Sequence, residues 1–218
     1  MSRVLACFLA ICLFLAPVSA HDWSAVVRKV NASTVRLSFP VTVFNPFTGN
    51  AQEMQAACSG FVVNRAKGYV MTASHCLNEG TTDGMTVTGA TPGTPMWVVF
   101  NDEKLDVAVI SAAIKKPALK PSRVGLQQGQ MIGALGYGYG FKLPLFRGGY
   151  VSNVAVDVDP EIPGPWALFD TPFIGGMSGG PIFNHDGQVV GVVQMSNEVM
   201  GLWRPFSMIY AATRAYWG

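Results

Sequence analysis

The chain is short of charge. Asp, Glu, Lys and Arg make up only 13% of its 218 residues, and the formal net charge is +2. No basic run is longer than Lys115-Lys116. Such a chain lacks the electrostatic footprint of a nucleic-acid partner or of an anionic membrane surface. Histidine is scarce, at three residues, and cysteine is nearly so, at four. After the N-terminal stretch no segment is long and apolar enough to span a bilayer. What the chain does have is hydrophobic residues, which are half of the total. That is not a disordered composition, and a chain of this length can bury a sizeable core without metal or multiple disulfides.

The N-terminus carries a distinct signal. Arg3 precedes an apolar stretch from Val4 to Val18, and Val18-Ser19-Ala20 follows with small or compact residues. This reads as a secretory signal over residues 1–20, cut after Ala20. The stretch is shorter than the ~20 residues of a membrane-spanning helix, which argues against an uncleaved anchor. Cys7 and Cys12 would leave with the leader, and Cys58 and Cys76 would remain. Export places that pair in an oxidising compartment, secreted or periplasmic, and an even count permits one bridge. No stable membrane insertion is expected afterwards.

Short apolar runs separated by Gly, Pro, Asn and Asp fill the rest of the chain. Val35–Val43, Gly60–Val63, Tyr69–Thr72, Met96–Phe100, Val107–Ile110, Met131–Leu135, Gly149–Val156, Trp166–Phe169, Pro181–Phe183, Val189–Gln194 and Leu202–Met208 are the main ones. This pattern argues for an all-β sandwich or barrel. A single helical turn is expected at Ala73–Leu77 and a short helix at roughly Met208–Trp217, with Ile209, Ala212 and Tyr216 on one side. Lys115–Ser122, broken by Pro117 and Pro121, is a plausible connection between two β units.

Three motifs carry chemistry. They are Tyr69-Val70-Met71-Thr72-Ala73-Ser74-His75-Cys76, Leu105-Asp106-Val107-Ala108-Val109-Ile110 and Gly175-Gly176-Met177-Ser178-Gly179-Gly180-Pro181. A serine hydroxyl is a poor nucleophile at neutral pH; it needs an adjacent base, and the base needs a third group to hold its tautomer. His75 follows a strand in a small-residue turn. Asp106 opens an apolar strand, where a carboxylate is costly unless it accepts hydrogen bonds. Ser178 lies among glycines that let backbone N–H groups point at one spot. Asp102 is the one rival to Asp106, and it lacks the apolar run.

Together these motifs resemble those of trypsin-like serine proteases, in that family's order of His, Asp, Ser. The compact loops and the Asn184–Gly187 hairpin look most like bacterial members of the HtrA type, with no room after the protease part for a PDZ domain. The resemblance implies two packed antiparallel six-stranded β-barrels with a short C-terminal helix. They would form a protease domain over residues 21–218, with barrels at about 24–120 and 121–218. It implies His75, Asp106 and Ser178 as catalytic residues, and the N–H groups of Gly176 and Ser178 as an oxyanion hole. The substrate would be protein or peptide, and no cofactor or metal is implied. Cys58 and Cys76 match the family's bridge beside the catalytic histidine, and free buried thiols are the alternative.

Two departures matter. Met177 stands where animal digestive enzymes carry the aspartate that pairs with a new N-terminus, so activation of that type is not expected. Pro172, six residues before Ser178, replaces the pocket-floor aspartate of trypsin. Gln194, Met195 and Ser196 are expected at the substrate edge, and Met195, Gly201 and Trp203 suggest an apolar or small pocket. Several residues have plainer readings. His21 at the mature N-terminus is a chance placement, His185 a solvated turn residue and Asp170 a structural carboxylate. Gly136–Gly140, with no helix or following lysine, is an inter-strand loop near the cleft and not a phosphate loop.

The leading reading is a secreted serine endopeptidase. A catalytically silent relative that binds a protein partner is the alternative. A carboxyl esterase would match Gly176-Met177-Ser178-Gly179-Gly180, but its residue order and the strand after Pro181 do not fit. Mass spectrometry of the exported protein should find His21 as the first residue; a mature chain still carrying Arg3 would refute the cleavage site.

Overall fold

A computed structural model describes residues 22–77, 79–158 and 164–218. The expected leader, its cut after Ala20, and His21 lie outside the described residues. The first element is a helix that the strand-rich reading did not anticipate, α1 (Ser24–Ser33). Asp22 accepts hydrogen bonds from the N–H and hydroxyl of Ser24 at its start. Its Val26, Val27 and Val30 turn inward, and Trp23 stacks on Phe146 and Phe183 with ring centroids 5.5 and 5.8 Å away.

Two antiparallel sheets follow. The first contains β1 (Thr34–Phe44), β2 (Ala51–Asn64), β3 (Tyr69–Thr72), β4 (Thr86–Val87), β5 (Trp97–Asp102) and β6 (Val107–Ser111), in the order β4-β1-β2-β3-β6-β5. The second contains β7 (Met131–Gly136), β8 (Leu145–Val156), β9 (Trp166–Phe169), β10 (Pro181–Phe183), β11 (Val189–Val192), β12 (Met195–Ser196) and β13 (Gly201–Trp203), in the order β11-β10-β7-β8-β9-β13-β12. The all-β expectation and the first strand count hold. The expected architecture of two packed antiparallel β units with a short C-terminal helix holds; in detail the second sheet has seven strands and not six, and among the described residues neither sheet closes into a ring of strand pairings. The cause is visible in β8. Its first half pairs with β7 up to Tyr150, and its second half pairs with β9 through two register shifts. Met195–Ser196 adds a short seventh strand beside β13.

Why the strands read as unbroken apolar runs is clear from the packing. Successive side chains of a strand point to opposite faces. On β6, Ala108 and Ile110 enter the interior of the first sheet with Leu37, Val62 and Val70. Val107 and Val109 enter the layer between the sheets, with Phe61, Met71, Leu135, Phe183 and Val192. Both faces are buried, so no polar alternation is left to see. A third cluster, around Ile132, Phe169, Met177, Ile182 and Trp203, fills the second sheet.

The tail helix is shorter than expected. α2 (Phe206–Thr213) gives way to a 3-10 turn at Arg214–Tyr216. The Thr213 hydroxyl donates back to the Ile209 carbonyl at 2.7 Å. Ile209 is fully buried, and this end of the chain lies against the layer between the sheets. Among the described residues no helix is long and apolar enough to cross a membrane.

Cys58 on β2 is bonded to Cys76 just beyond β3. Replacing both by alanine should lower the unfolding free energy by roughly 3 kcal/mol, the chain-entropy value for a loop of this size. Urea midpoints of the oxidised parent and the double variant measure it.

Candidate active site

His75 sits on a 3-10 turn, Ser74–Cys76, immediately after β3. The Ser74 hydroxyl donates to Asn101 Oδ1 at 2.6 Å and anchors that turn to β5. Asp106 occupies the turn between β5 and β6. It accepts from the His75 backbone N–H at 3.0 Å, and His75 Nδ1 lies 3.0 and 2.8 Å from its two oxygens. One carboxylate thus holds both the turn and the ring, which leaves Nε2 as the face of the imidazole turned from it. The rival Asp102 is spent elsewhere, accepting the N–H groups of Lys104 and Leu105 in its own turn.

Asp106 has a feature that no motif announces. Its φ is +49°, a left-handed conformation that costs a non-glycine residue on the order of 1 kcal/mol or more. The turn is held from the other sheet by Gln194. The buried Gln194 amide donates to the carbonyls of Leu105 and Asp106, the latter at 2.9 Å. Its Oε1 accepts from the Arg204 N–H at 2.8 Å. Arg204 in turn donates to the Lys104 carbonyl at 3.1 Å and lies over the Trp166 ring. Burial lowers the guanidinium's pKa, and the Asp106 charge works against that shift.

Ser178 lies half-buried between β9 and β10. Its hydroxyl donates to the Gln194 carbonyl at 3.4 Å. Its own carbonyl accepts from the Ser59 N–H at 2.8 Å, and Cys76 Sγ lies 3.6 Å from the same oxygen. That sulfur is bridged and has no proton to donate, so this is a contact and not a hydrogen bond. A ring nitrogen of His75 is within 4.8 Å of both bridged sulfurs, so the disulfide is a common neighbour of His75 and Ser178. The two sulfurs are bonded to each other, and the cluster offers a metal ion only the imidazole.

The loop before Ser178 is pinned peptide by peptide. The Gly175 carbonyl accepts from the Tyr139 N–H at 2.7 Å, and the Met177 carbonyl from the Gly180 N–H at 2.9 Å. A trans peptide points its N–H opposite its carbonyl. The N–H groups of Gly176 and Ser178 therefore face away from those partners, and neither donates to a protein acceptor among the described residues. Gly176 has φ +95°, a conformation that any side chain would strain. Met177 is fully buried in the core of the second sheet.

A cleft of about 370 Å³ opens beside Ser178, lined by Phe173, Ile174, Gly175, Val193, Gln194, Met195, Ser196, Asn197 and Glu198. Met195 and Ser196 lie on its wall. Gln194 contributes its backbone, while its side chain is turned away to the Asp106 turn. Pro172 lies outside the lining, and its carbonyl accepts from the Arg147 guanidinium at 3.2 and 3.3 Å. Trp203 is fully buried behind the cleft, against Gly191. The Phe173 ring packs so close to Gly201 that a Cβ there would lie 2.6 Å from it. The Phe173 N–H donates to Ser196 Oγ at 2.9 Å. Asp170 accepts from the Tyr150 N–H and the Thr171 hydroxyl, a structural arrangement. His185 is exposed in its turn, with its ring 5.0 Å from that of Trp23.

Two sheets, a His–Asp pair and a serine in a pinned glycine loop are the arrangement that the three sequence motifs pointed to. The model of the trypsin-like peptidase domain matches residues 58–192, more than half the chain. The chain belongs to the trypsin-like peptidase family. Among curated relatives it is similar to a probable periplasmic serine endoprotease DegP-like of Halomonas elongata, with 30% identity over 66% of this chain. It is similar to a protein of the same description from Pseudomonas fluorescens, with 31% identity over 68% of this chain. The matches cover 30% and 31% of those relatives, so the chain spans about a third of their length. Among solved structures, the HtrA-type protease AlgW with a decapeptide superposes with a TM-score of 0.70, at 17% identity, over 89% of this chain and 67% of that one. The active form of the Rv3671c protease from M. tuberculosis gives 0.65 at 21% identity, over 87% and 82%. At these identities the structures speak to the fold alone.

Sequence reasoning missed the side chain of Gln194, the hydroxyl of Ser59 and the turned backbone of Asp106. The only signals were a glutamine and a serine in otherwise apolar runs. Gln194→Met keeps the shape and removes the amide, leaving buried carbonyls and an N–H unpartnered. An unfolding free energy lower by about 2–4 kcal/mol is expected from denaturant titration.

Proposed function

We propose that the protein is an exported serine endopeptidase in which Ser178 attacks the scissile carbonyl, His75 transfers the proton and Asp106 orients the base. The observation that carries this reading is the two-point grip of Asp106 on His75, at the ring and at the backbone. It leaves the proton-transferring Nε2 directed away from the carboxylate. For the attack, the Ser178 hydroxyl leaves the Gln194 carbonyl and turns to Nε2. The proton then passes to the leaving amine, an acyl-enzyme forms, and water reverses the sequence. The N–H groups of Gly176 and Ser178 stabilise the oxyanion, each such donor being worth ~10²–10³ in turnover.

The cleft supports a small apolar residue before the cut. The Phe173 ring lines it and packs on Gly201, and no cationic side chain lines it. Glu198 on the lining disfavours acidic residues. A peptide or protein substrate fits the peptide carried by AlgW, and a periplasmic or secreted setting fits the description of the DegP-like relatives. Burial of Met177 supports a loop ordered without a new N-terminus.

One observation favours the alternative, a silent protein-binding relative: the resting Ser178 hydroxyl is on Gln194 and not on His75. A fluorophosphonate probe separates the two. Labelling of the parent and not of Ser178→Ala supports the peptidase; no labelling of folded parent across pH supports the silent relative. Peptide-library profiling should give Ala or Val before the cut, and a preference for Arg or Glu would overturn the pocket reading.

A further inference from the structure

Ser59 follows the bridged Cys58 on β2, and it is fully buried between the two sheets. Its hydroxyl has two partners. The Tyr137 N–H lies 2.8 Å away, and so does the Gly176 carbonyl. The first can only donate and the second can only accept, so the hydroxyl proton must point at Gly176. Ser59 also uses its backbone N–H, which donates to the Ser178 carbonyl at 2.8 Å. The Ser59 carbonyl in turn accepts from the Thr72 hydroxyl at 2.8 Å, which ties the residue to β3.

We infer that Ser59 is the positioning residue that sets the two oxyanion-binding N–H groups, acting through the backbone and never touching substrate. The inference rests on the peptidase reading above and deepens it. The geometry is specific. Ser59 holds the carbonyls of Gly176 and Ser178, the two residues whose N–H groups are directed at the oxyanion. Through Tyr137 it also holds the loop whose Tyr139 N–H fixes the Gly175–Gly176 peptide. Both sides of Gly176 are therefore controlled from one buried hydroxyl, directly on one side and through two residues of loop on the other. Neither adjacent residue can substitute. Met177 brings only an apolar side chain, and a Cβ at Gly136 would itself lie 2.8 Å from the Ser59 oxygen, so the hydroxyl occupies the whole gap.

Removing the hydroxyl leaves the Tyr137 N–H and the Gly176 carbonyl without their buried partner. The Gly175–Met177 segment then loses one of its anchors, and glycine at 175 and 176 offers no side-chain barrier to its turning. Ground-state binding changes less, because of the turning segment only Gly175 lines the cleft, while the wall at Met195 and Ser196 stays in place. Stabilisation of the oxyanion is lost. An interaction made only in the transition state lowers kcat and leaves KM in place.

The test uses the full exported chain and a blocked peptide p-nitroanilide with valine before the cut. Ser59→Ala should lower kcat ~10–100-fold, less than or comparable to loss of one oxyanion donor, with KM within about twofold. A peptide boronate, whose tetrahedral anion occupies the oxyanion site, should lose affinity by the same factor, and the neutral C-terminal amide of the product peptide, which carries no anion there, should not. Ser59→Cys, which restores a weak donor of similar size, should recover part of kcat. A kcat for Ser59→Ala within twofold of the parent overturns the inference, as does a loss that appears equally in the affinity of the product amide. If near-ultraviolet circular dichroism shows that Ser59→Ala does not fold, Ser59→Cys decides alone, on the same twofold limit. Ser178→Ala runs in parallel. If it still hydrolyses the peptide, the peptidase reading itself fails; if it is inactive while Ser59→Ala is not impaired, only the role of Ser59 fails.

Discussion

A single backbone hydrogen bond, from the Ser59 N–H to the Ser178 carbonyl, joins the strand that carries the bridged Cys58 to the loop that carries the serine. The rest of the cleft is arranged around that join. Cys58, next to Ser59, is bonded to Cys76, next to His75. The His75 turn and the Ser178 loop therefore share one rigid reference, although they come from different sheets and lie about a hundred residues apart in the chain. Rigid elements of this sort hold a reacting geometry better than loops alone, because each side chain inherits the order of the packed strand beneath it.

The second sheet reaches across in return. Gln194 extends a neutral amide to the backbone of the Asp106 turn, and its own carbonyl meets the Ser178 hydroxyl. An amide suits this place better than a charged group. It is buried, it satisfies two carbonyls and one N–H, and it adds no charge beside the carboxylate. The left-handed backbone at Asp106 is tolerated because both of its flanking peptides are held. Strain of this kind persists where surrounding contacts over-determine it.

Much of the site was legible in the chain. His75, Asp106 and Ser178 each stand in a short motif whose local chemistry is readable, a small-residue turn, an apolar strand opening and a glycine loop. The all-β class was equally legible from the spacing of apolar runs. The seven-stranded second sheet was not, since a strand such as Leu145–Val156 that changes partner at its middle looks the same in sequence as one that does not. Nor was α1, whose valines are β-branched and read as strand formers, and which is held by packing Trp23 and Val30 on the second sheet. The pocket was the least legible part: Pro172 and Trp203 were assigned to it by position, and only the fold shows that the first turns its carbonyl to Arg147 and that the second packs on Gly191.

The chain by itself therefore determined the candidate triad and the class of fold, because the serine, histidine and carboxylate proposed for it are marked by residue type and immediate neighbours. Only the tertiary structure decided what holds them. The grip of Gln194 on Asp106, the buried hydroxyl of Ser59 between Tyr137 and Gly176, and the Phe173 ring against Gly201 are contacts between residues far apart in the chain. Such contacts depend on the direction and depth of each side chain after the sheets pack, and a linear order of residues carries neither.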